Sequence, residues 1–360
     1  MSLSERFNRW IFESWSVSAE GLGLLRIISA LFILFFLIPG YGTSHFNFLA
    51  DLPPDFYAPP PGPMMLFESF PSAAIFQWVH TILLFSLFAM LLGYRTKLTS
   101  ILTGVSILIL QGIIFSVGKV NHEILVAVVP VVMAFSNWGA AFSIDSVRRG
   151  HNRQTENWPL TLLALFIGFM MFTAGFPKIL GGWLDPTTQA TQGHLLNQFF
   201  VRERQAMLAE FMVQFDSVLF WELLDWITVL FEIGFLAAVF SPKWFRRFVA
   251  FAVLFHFSTM MTLNIAFLPN FLAYAVFLNW DGIYQSNLRL YRRLTGKRGE
   301  RSKKRSALLL SAVVGLLFFL LNRLSSMDLV LRESDLTLHE VVFLFFALFV
   351  VMWIGIKKCA

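Results

Sequence analysis

Cysteine occurs once in the 360 residues, at Cys359. A single thiol excludes an intramolecular disulfide, and it argues against a cysteine-held metal site or a cysteine nucleophile. No metal is expected. Charge is scarce too. Asp, Glu, Lys and Arg make up 14% of the chain, where a soluble domain of this length carries roughly a quarter. That deficit excludes most soluble enzyme classes. A cleavable signal is not expected either, because the first apolar run contains Arg26 and no small-residue cleavage site follows it.

What the chain has instead is apolar length. Hydrophobic residues reach 57%. They gather in ten runs, at 22–38, 72–92, 98–117, 123–141, 158–176, 218–240, 246–266, 268–280, 307–321 and 339–356. In lipid only a helix satisfies its own backbone within one segment. The fold class is therefore all-α, a polytopic integral membrane bundle of about 8–10 transmembrane helices. Threading the runs with the N-terminus inside puts 21 of the 28 Lys and Arg on inside segments and six outside, with Arg26 within a span. The positive-inside rule predicts such a split. It places both termini in the cytoplasm and makes the protein multi-pass. The net charge of +6 then speaks to orientation and to anionic lipid, not to nucleic acid.

Four parts follow in order: an interfacial N-terminal helix at 1–20, the main transmembrane domain at 21–285, a basic cytoplasmic loop at 286–306, and a C-terminal transmembrane hairpin at 307–360. Phe7, Trp10, Ile11 and Trp15 fall near one face of the first helix. The connection 39–71 holds eight of the fourteen prolines, six aromatic residues from Phe46 to Phe70 and no Lys or Arg. It is expected to form an ordered outer cap. In the connection 177–217, Leu196, Phe200, Met207 and Phe211 recur at helical spacing, which predicts one amphipathic helix on the outer surface. The nine basic residues of 289–305 are expected to anchor on anionic lipid. The run 268–280 is short for a crossing, so the seventh and eighth runs are either two spans or one re-entrant hairpin.

Ionisable residues inside spans need partners or functions. Glu222, Asp225 and Glu232 share one face of the sixth run, with Glu232 near mid-membrane. His80, His256 and Arg26 lie in the second, seventh and first. One reading is a structural Arg26–Glu232 pair with His256 nearby; the other is a proton path or ligand cavity. Asn121 and His122 open the fourth run and Lys178 ends the fifth. The threading puts all three at the outer boundary. Lys178 is either a lysine snorkelling to headgroups or a desolvated base with a lowered proton affinity.

At these residues the chain resembles the HTTM superfamily, the membrane domain of vitamin K-dependent γ-glutamyl carboxylase and its bacterial relatives. Four passages carry the likeness: NHEILVAVVPVVMAFSNWGAAFSID at 121–145, FTAGFPKILGGW at 172–183, FEIGFLAAVF at 231–240 and HFSTMMTLNIAFLPNFLAYAVFLNW at 256–280. In that enzyme a lysine deprotonates vitamin K hydroquinone, and the oxygenated product removes the γ-proton of glutamate. The resemblance implies that Lys178 and His122 are catalytic, with Asn121, Trp183, His256 and Glu232 at the substrate. It implies a quinone or hydroquinone, vitamin K-like, as cofactor. Pro177 stands where the carboxylase has a second lysine, and the paired cysteines that fasten its lumenal domain are missing here. The expectation is a carboxylase- or oxidase-like enzyme acting with a quinone or other lipid-soluble substrate at the outer leaflet. The alternative is a non-enzymatic membrane protein that binds or moves a lipidic ligand or assists a membrane partner.

Overall fold

A computed structural model describes residues 2–41, 43–118, 123–149, 154–205, 207–265 and 267–295. Their regular elements are all helical: α1 (Leu3–Glu13), α2 (Ala19–Phe32), α3 (Thr43–Ala50), α4 (Ala73–Leu92), α5 (Thr96–Phe115), α6 (Ile124–Met133), α7 (Ile144–Arg149), α8 (Trp158–Leu180), α9 (Ala190–Leu196), α10 (Ala209–Val213), α11 (Val218–Ala238), α12 (Pro242–Leu263), α13 (Leu268–Ala275) and α14 (Trp280–Thr295). Four are long and apolar enough to cross a membrane: α2 extended by a π turn to Leu37, α4, α5 and α8. α11 and α12 are of similar length, 21 and 22 residues. They fall outside that group because α11 carries three carboxylates and α12 opens on Lys243, Arg246 and Arg247.

The fourth run is broken sooner than its hydropathy suggests, and the eighth is short, as its length predicts. α6 has ten residues and α13 eight. Eight residues rise only about 12 Å, too little for a hydrocarbon core of about 30 Å. Left-handed backbone at Asn137 and Phe142 follows α6, and at Asn264 it precedes α13. α14 carries helix through Thr295, into the expected basic loop. Residues 296–360, with the rest of that loop and the C-terminal hairpin, lie outside the described residues.

The described residues divide into two compact units, one within 1–167, 239–242 and 269–281, the other within 168–238, 243–268 and 282–295. In the first unit α4 packs on α5, α5 on α6 and α2 on α4. Gly104 sets the α5–α6 approach, since a Cβ there would lie 2.5 Å from the Ala127 carbonyl oxygen. α4 is apolar on every side. It buries Phe76, Leu83, Leu87 and Met90, yet leaves Trp78 70% and Phe85 74% exposed. A helix that shows large apolar groups outward suits lipid, not water.

A polar knot ties this unit at one end. The Asp145 carboxylate accepts from the Arg95 and Thr96 backbone N–H groups at 2.9 and 2.7 Å and from the Thr96 hydroxyl at 2.8 Å, so it caps α5 from a distant helix. The Arg26 guanidinium donates to the carbonyls of Phe142 at 2.5 Å and Trp138 at 3.4 Å. Gly93 ends α4 with φ +68°, and a Cβ there would strike Ser143 and Arg26. The expected Arg26–Glu232 pair is not what forms: two guanidinium nitrogens of Arg26 donate to local carbonyls while its buried Nε has no hydrogen-bond partner among the described residues, and Glu232 has Lys178 as its cation.

The 39–71 connection is ordered. It contains α3, buries Phe46, Leu49 and Phe70, and is pinned to the end of α5 by Ala58 N–H donating to Ser116 O at 2.7 Å.

In the second unit α11 and α12 interdigitate aromatic rings. Phe231 meets Phe248, Phe251 and Phe255, and Phe235 meets Phe245 and Phe248, with centroids 4.7–5.9 Å apart. The single amphipathic helix expected across 194–216 is instead two short pieces. α9 runs into a π turn at Asn197–Val201 and stops; α10 follows at Ala209. Glu203 and Met207 adopt positive φ, and Leu208 N–H donates to the Met261 carbonyl at 2.9 Å. That tertiary bond draws the chain out of helical register.

Candidate functional site

The second unit brings together three of the expected residues. Lys178 occupies the last turn of α8, just after Pro177. Its Nζ donates to both carboxylate oxygens of Glu232 on α11. The Lys178 side chain is 22% exposed and that of Glu232 7%. Beyond Lys178 the chain reverses: Trp183 N–H donates to the Lys178 carbonyl at 3.0 Å, with Gly182 at φ +80° supplying the left-handed step. The reversal places the Trp183 ring 4.9 Å from Nζ, a cation–π distance. Gly175 makes the pair possible. A Cβ there would lie 2.8 Å from Glu232 Cβ, so only glycine lets α11 close on α8 at this point.

The other two acids on α11 hold the same segment. Asp225 is fully buried and caps α9. It accepts from the backbone N–H of Ala190 and Thr191, both at 2.8 Å, and from the Thr191 hydroxyl at 2.5 Å. Glu222 accepts from Gln189 Nε2 at 3.2 Å. All three carboxylates of one helix face thus take partners between 178 and 191. Asp185 shapes the turn between, accepting from the Thr187 backbone N–H and hydroxyl; these donors hold its carboxyl below the ordinary aspartate value. Asp225, Glu222, Gln189 and Thr191 were not expected as site residues, although the shared face of the acids was visible in their spacing.

His256 is buried on α12, its ring 4.5 Å from Phe267 and 5.6 Å from Phe255. Arg26 belongs to the knot of the first unit. Asn121 and His122 lie outside the described residues.

Asp225→Ala removes three bonds at once. Loss of a cap costs typically about 1 kcal/mol, so the expected result is faster amide hydrogen exchange across 189–196 with exchange in α4 and α5 unchanged. Uniform acceleration through the chain would contradict a local role.

Long apolar helices that show aromatic groups outward, with a buried ion pair and buried caps inside, define an α-helical membrane protein. Residues 17–281 match the HTTM domain, and the chain belongs to that family. No curated protein and no solved structure matches it. The match spans both units and includes Lys178, Trp183, Glu232 and His256; α1 precedes it.

Proposed function

We propose that this protein is a carboxylase- or oxidase-like enzyme that takes a proton from a quinone-class or other lipid-soluble substrate at the outer leaflet of a bacterial inner membrane. The sorting of basic residues supports a multi-pass topology with both termini inside. The observation that carries the chemical reading is the buried Lys178–Glu232 pair beside Trp183.

A lysine is a base only when its own proton has somewhere to go. Glu232 is such an acceptor, held on both oxygens by Nζ. Lys178 then passes a proton to Glu232 and takes one from a substrate hydroxyl, so the pair acts as one base. The residues fit a hydroquinone. An ammonium has three N–H donors; Glu232 takes two, leaving one for a substrate oxygen, and the Trp183 indole offers a flat wall for a ring. Exposed Phe176 and Leu180 on the same turn provide an apolar approach from lipid. When bound, the hydroquinone supplies the electrons for reaction with oxygen. His122 and Asn121 are carried into the site by the family resemblance alone, as polar partners of the substrate, and His256 as part of its lining.

Exposed Phe200, Phe211 and Leu219 favour a second reading, in which this face binds or moves a lipidic ligand without chemistry, or assists a membrane partner. Solvent extraction of the purified protein, followed by mass spectrometry, tests the proposal. Wild type is expected to retain a quinone and Trp183→Ala to lose most of it. Wild type that retains lipids but no quinone, before and after incubation with one, supports the second reading instead.

A further inference from the structure

α1 is a short helix with an unusual surface. A capping box fixes its start: Glu5 N–H donates to the Ser2 hydroxyl, and Ser2 N–H donates to the Glu5 carboxylate. None of its residues is buried, yet it is firmly placed. Trp10 Nε1 donates to the Val239 carbonyl at 3.3 Å, and the Thr161 hydroxyl donates to the Ile11 carbonyl at 2.8 Å. Phe7, Trp10 and Phe240 form a continuous row of rings, with centroids 5.6 and 5.2 Å apart. Leu3, Phe7, Phe12 and Phe240 all remain largely exposed. Between α1 and the 239–242 turn lies an open groove of about 320 Å³, lined by Arg6, Arg9, Trp10, Glu13, Ser14 and Phe240.

Each feature of this groove suits one kind of ligand. Trp10, half-buried in this row, is the amphipathic kind of ring enriched at the headgroup level, and exposed Phe7 and Phe240 flank it with apolar surface. An amphipathic helix with basic residues on its polar face lies in the interface plane. Two guanidiniums on the groove wall match a phosphodiester, and Arg offers a fork of five donors for such oxygens. One donor of Arg9 is committed, since its Nε lies 3.6 Å from Glu13. Glu13 is also the one carboxylate on the groove, and it opposes an anion there. We propose that the groove between α1 and the 239–242 turn holds the phosphate of an anionic phospholipid, with the acyl chains along Phe7 and Phe240. α1 precedes the HTTM match at 17–281, so this site is built partly from residues outside the family domain. It does not depend on the chemistry at Lys178.

The test uses the full chain, delipidated in detergent and titrated with phosphatidylglycerol or phosphatidylcholine of the same acyl chains, bound lipid being counted by native mass spectrometry. A surface arginine contributes about fivefold to anionic-lipid binding, so Arg6→Gln/Arg9→Gln is expected to weaken phosphatidylglycerol binding by about 30-fold and to leave phosphatidylcholine unchanged. Glu13→Gln is expected to strengthen phosphatidylglycerol binding, a gain that a folding defect cannot produce. Inorganic phosphate at constant ionic strength is expected to leave the lipid bound. An unchanged titration in the double variant, a loss in Glu13→Gln, equal losses for both lipids, or displacement by phosphate would each overturn the assignment, the last by showing a site for a soluble anion.

Discussion

Lys178→Arg is expected to keep the fold and lose the chemistry. Arginine can reach Glu232 and preserve the ion pair, so folded yield and thermal stability should stay close to wild type. It cannot release its proton near neutral pH. A positioned acid–base group contributes roughly 10²–10⁴-fold to rate, and turnover should fall by that amount while substrate retention changes little. Steady-state rates and ligand retention measured on the same preparation separate the two. Full turnover in Lys178→Arg would mean that only positive charge is needed at this position, and the proton-transfer reading would fail.

The second large effect is on stability. Removing one member of a buried pair costs about 3–5 kcal/mol, because the other is left charged without a partner. The two sides should differ here. Lys178→Met strands a carboxylate only 7% exposed, while Glu232→Leu strands an ammonium that is 22% exposed and can extend toward water. Lys178→Met should therefore be the more damaging single change. The double variant Lys178→Met/Glu232→Leu should be more stable than Lys178→Met alone, since no charge remains buried. Thermal unfolding of the four proteins in detergent gives the cycle. Additive losses would show that the two residues do not interact.

The sequence carried the class of this fold well and its interruptions poorly. Apolar run length and the scarcity of charge gave an all-helical membrane protein, and α2, α4, α5 and α8 fall on the expected runs. The shortness of the eighth run was readable from its length, but the end of α6 at Met133, inside the apolar run 123–141, was not. Left-handed backbone follows it at Asn137 and Phe142, neither of them glycine. The break between α9 and α10 was hidden for a related reason: the periodicity of Leu196, Phe200, Met207 and Phe211 is intact, and a bond to Met261 overrides it. At the site, the residues were readable and their pairing was not. Glu222, Asp225 and Glu232 could be put on one helix face from spacing. Their partners are 33 to 54 positions away, and nothing in spacing says which cation reaches Glu232. Depth alone suggested Arg26. The deciding feature is Gly175, whose missing side chain lets α11 approach α8 beside Lys178.

The central claim is that Lys178 and Glu232 together take a proton from a reduced, lipid-soluble substrate. The most direct measurement follows the absorbance of a reduced naphthoquinone in proteoliposomes exposed to oxygen, with empty vesicles as the reference. Wild type is predicted to oxidise it faster than empty vesicles, with Lys178→Arg and Glu232→Gln both close to the reference. Wild-type oxidation at the rate of empty vesicles, by protein shown to bind the naphthoquinone, would contradict the account.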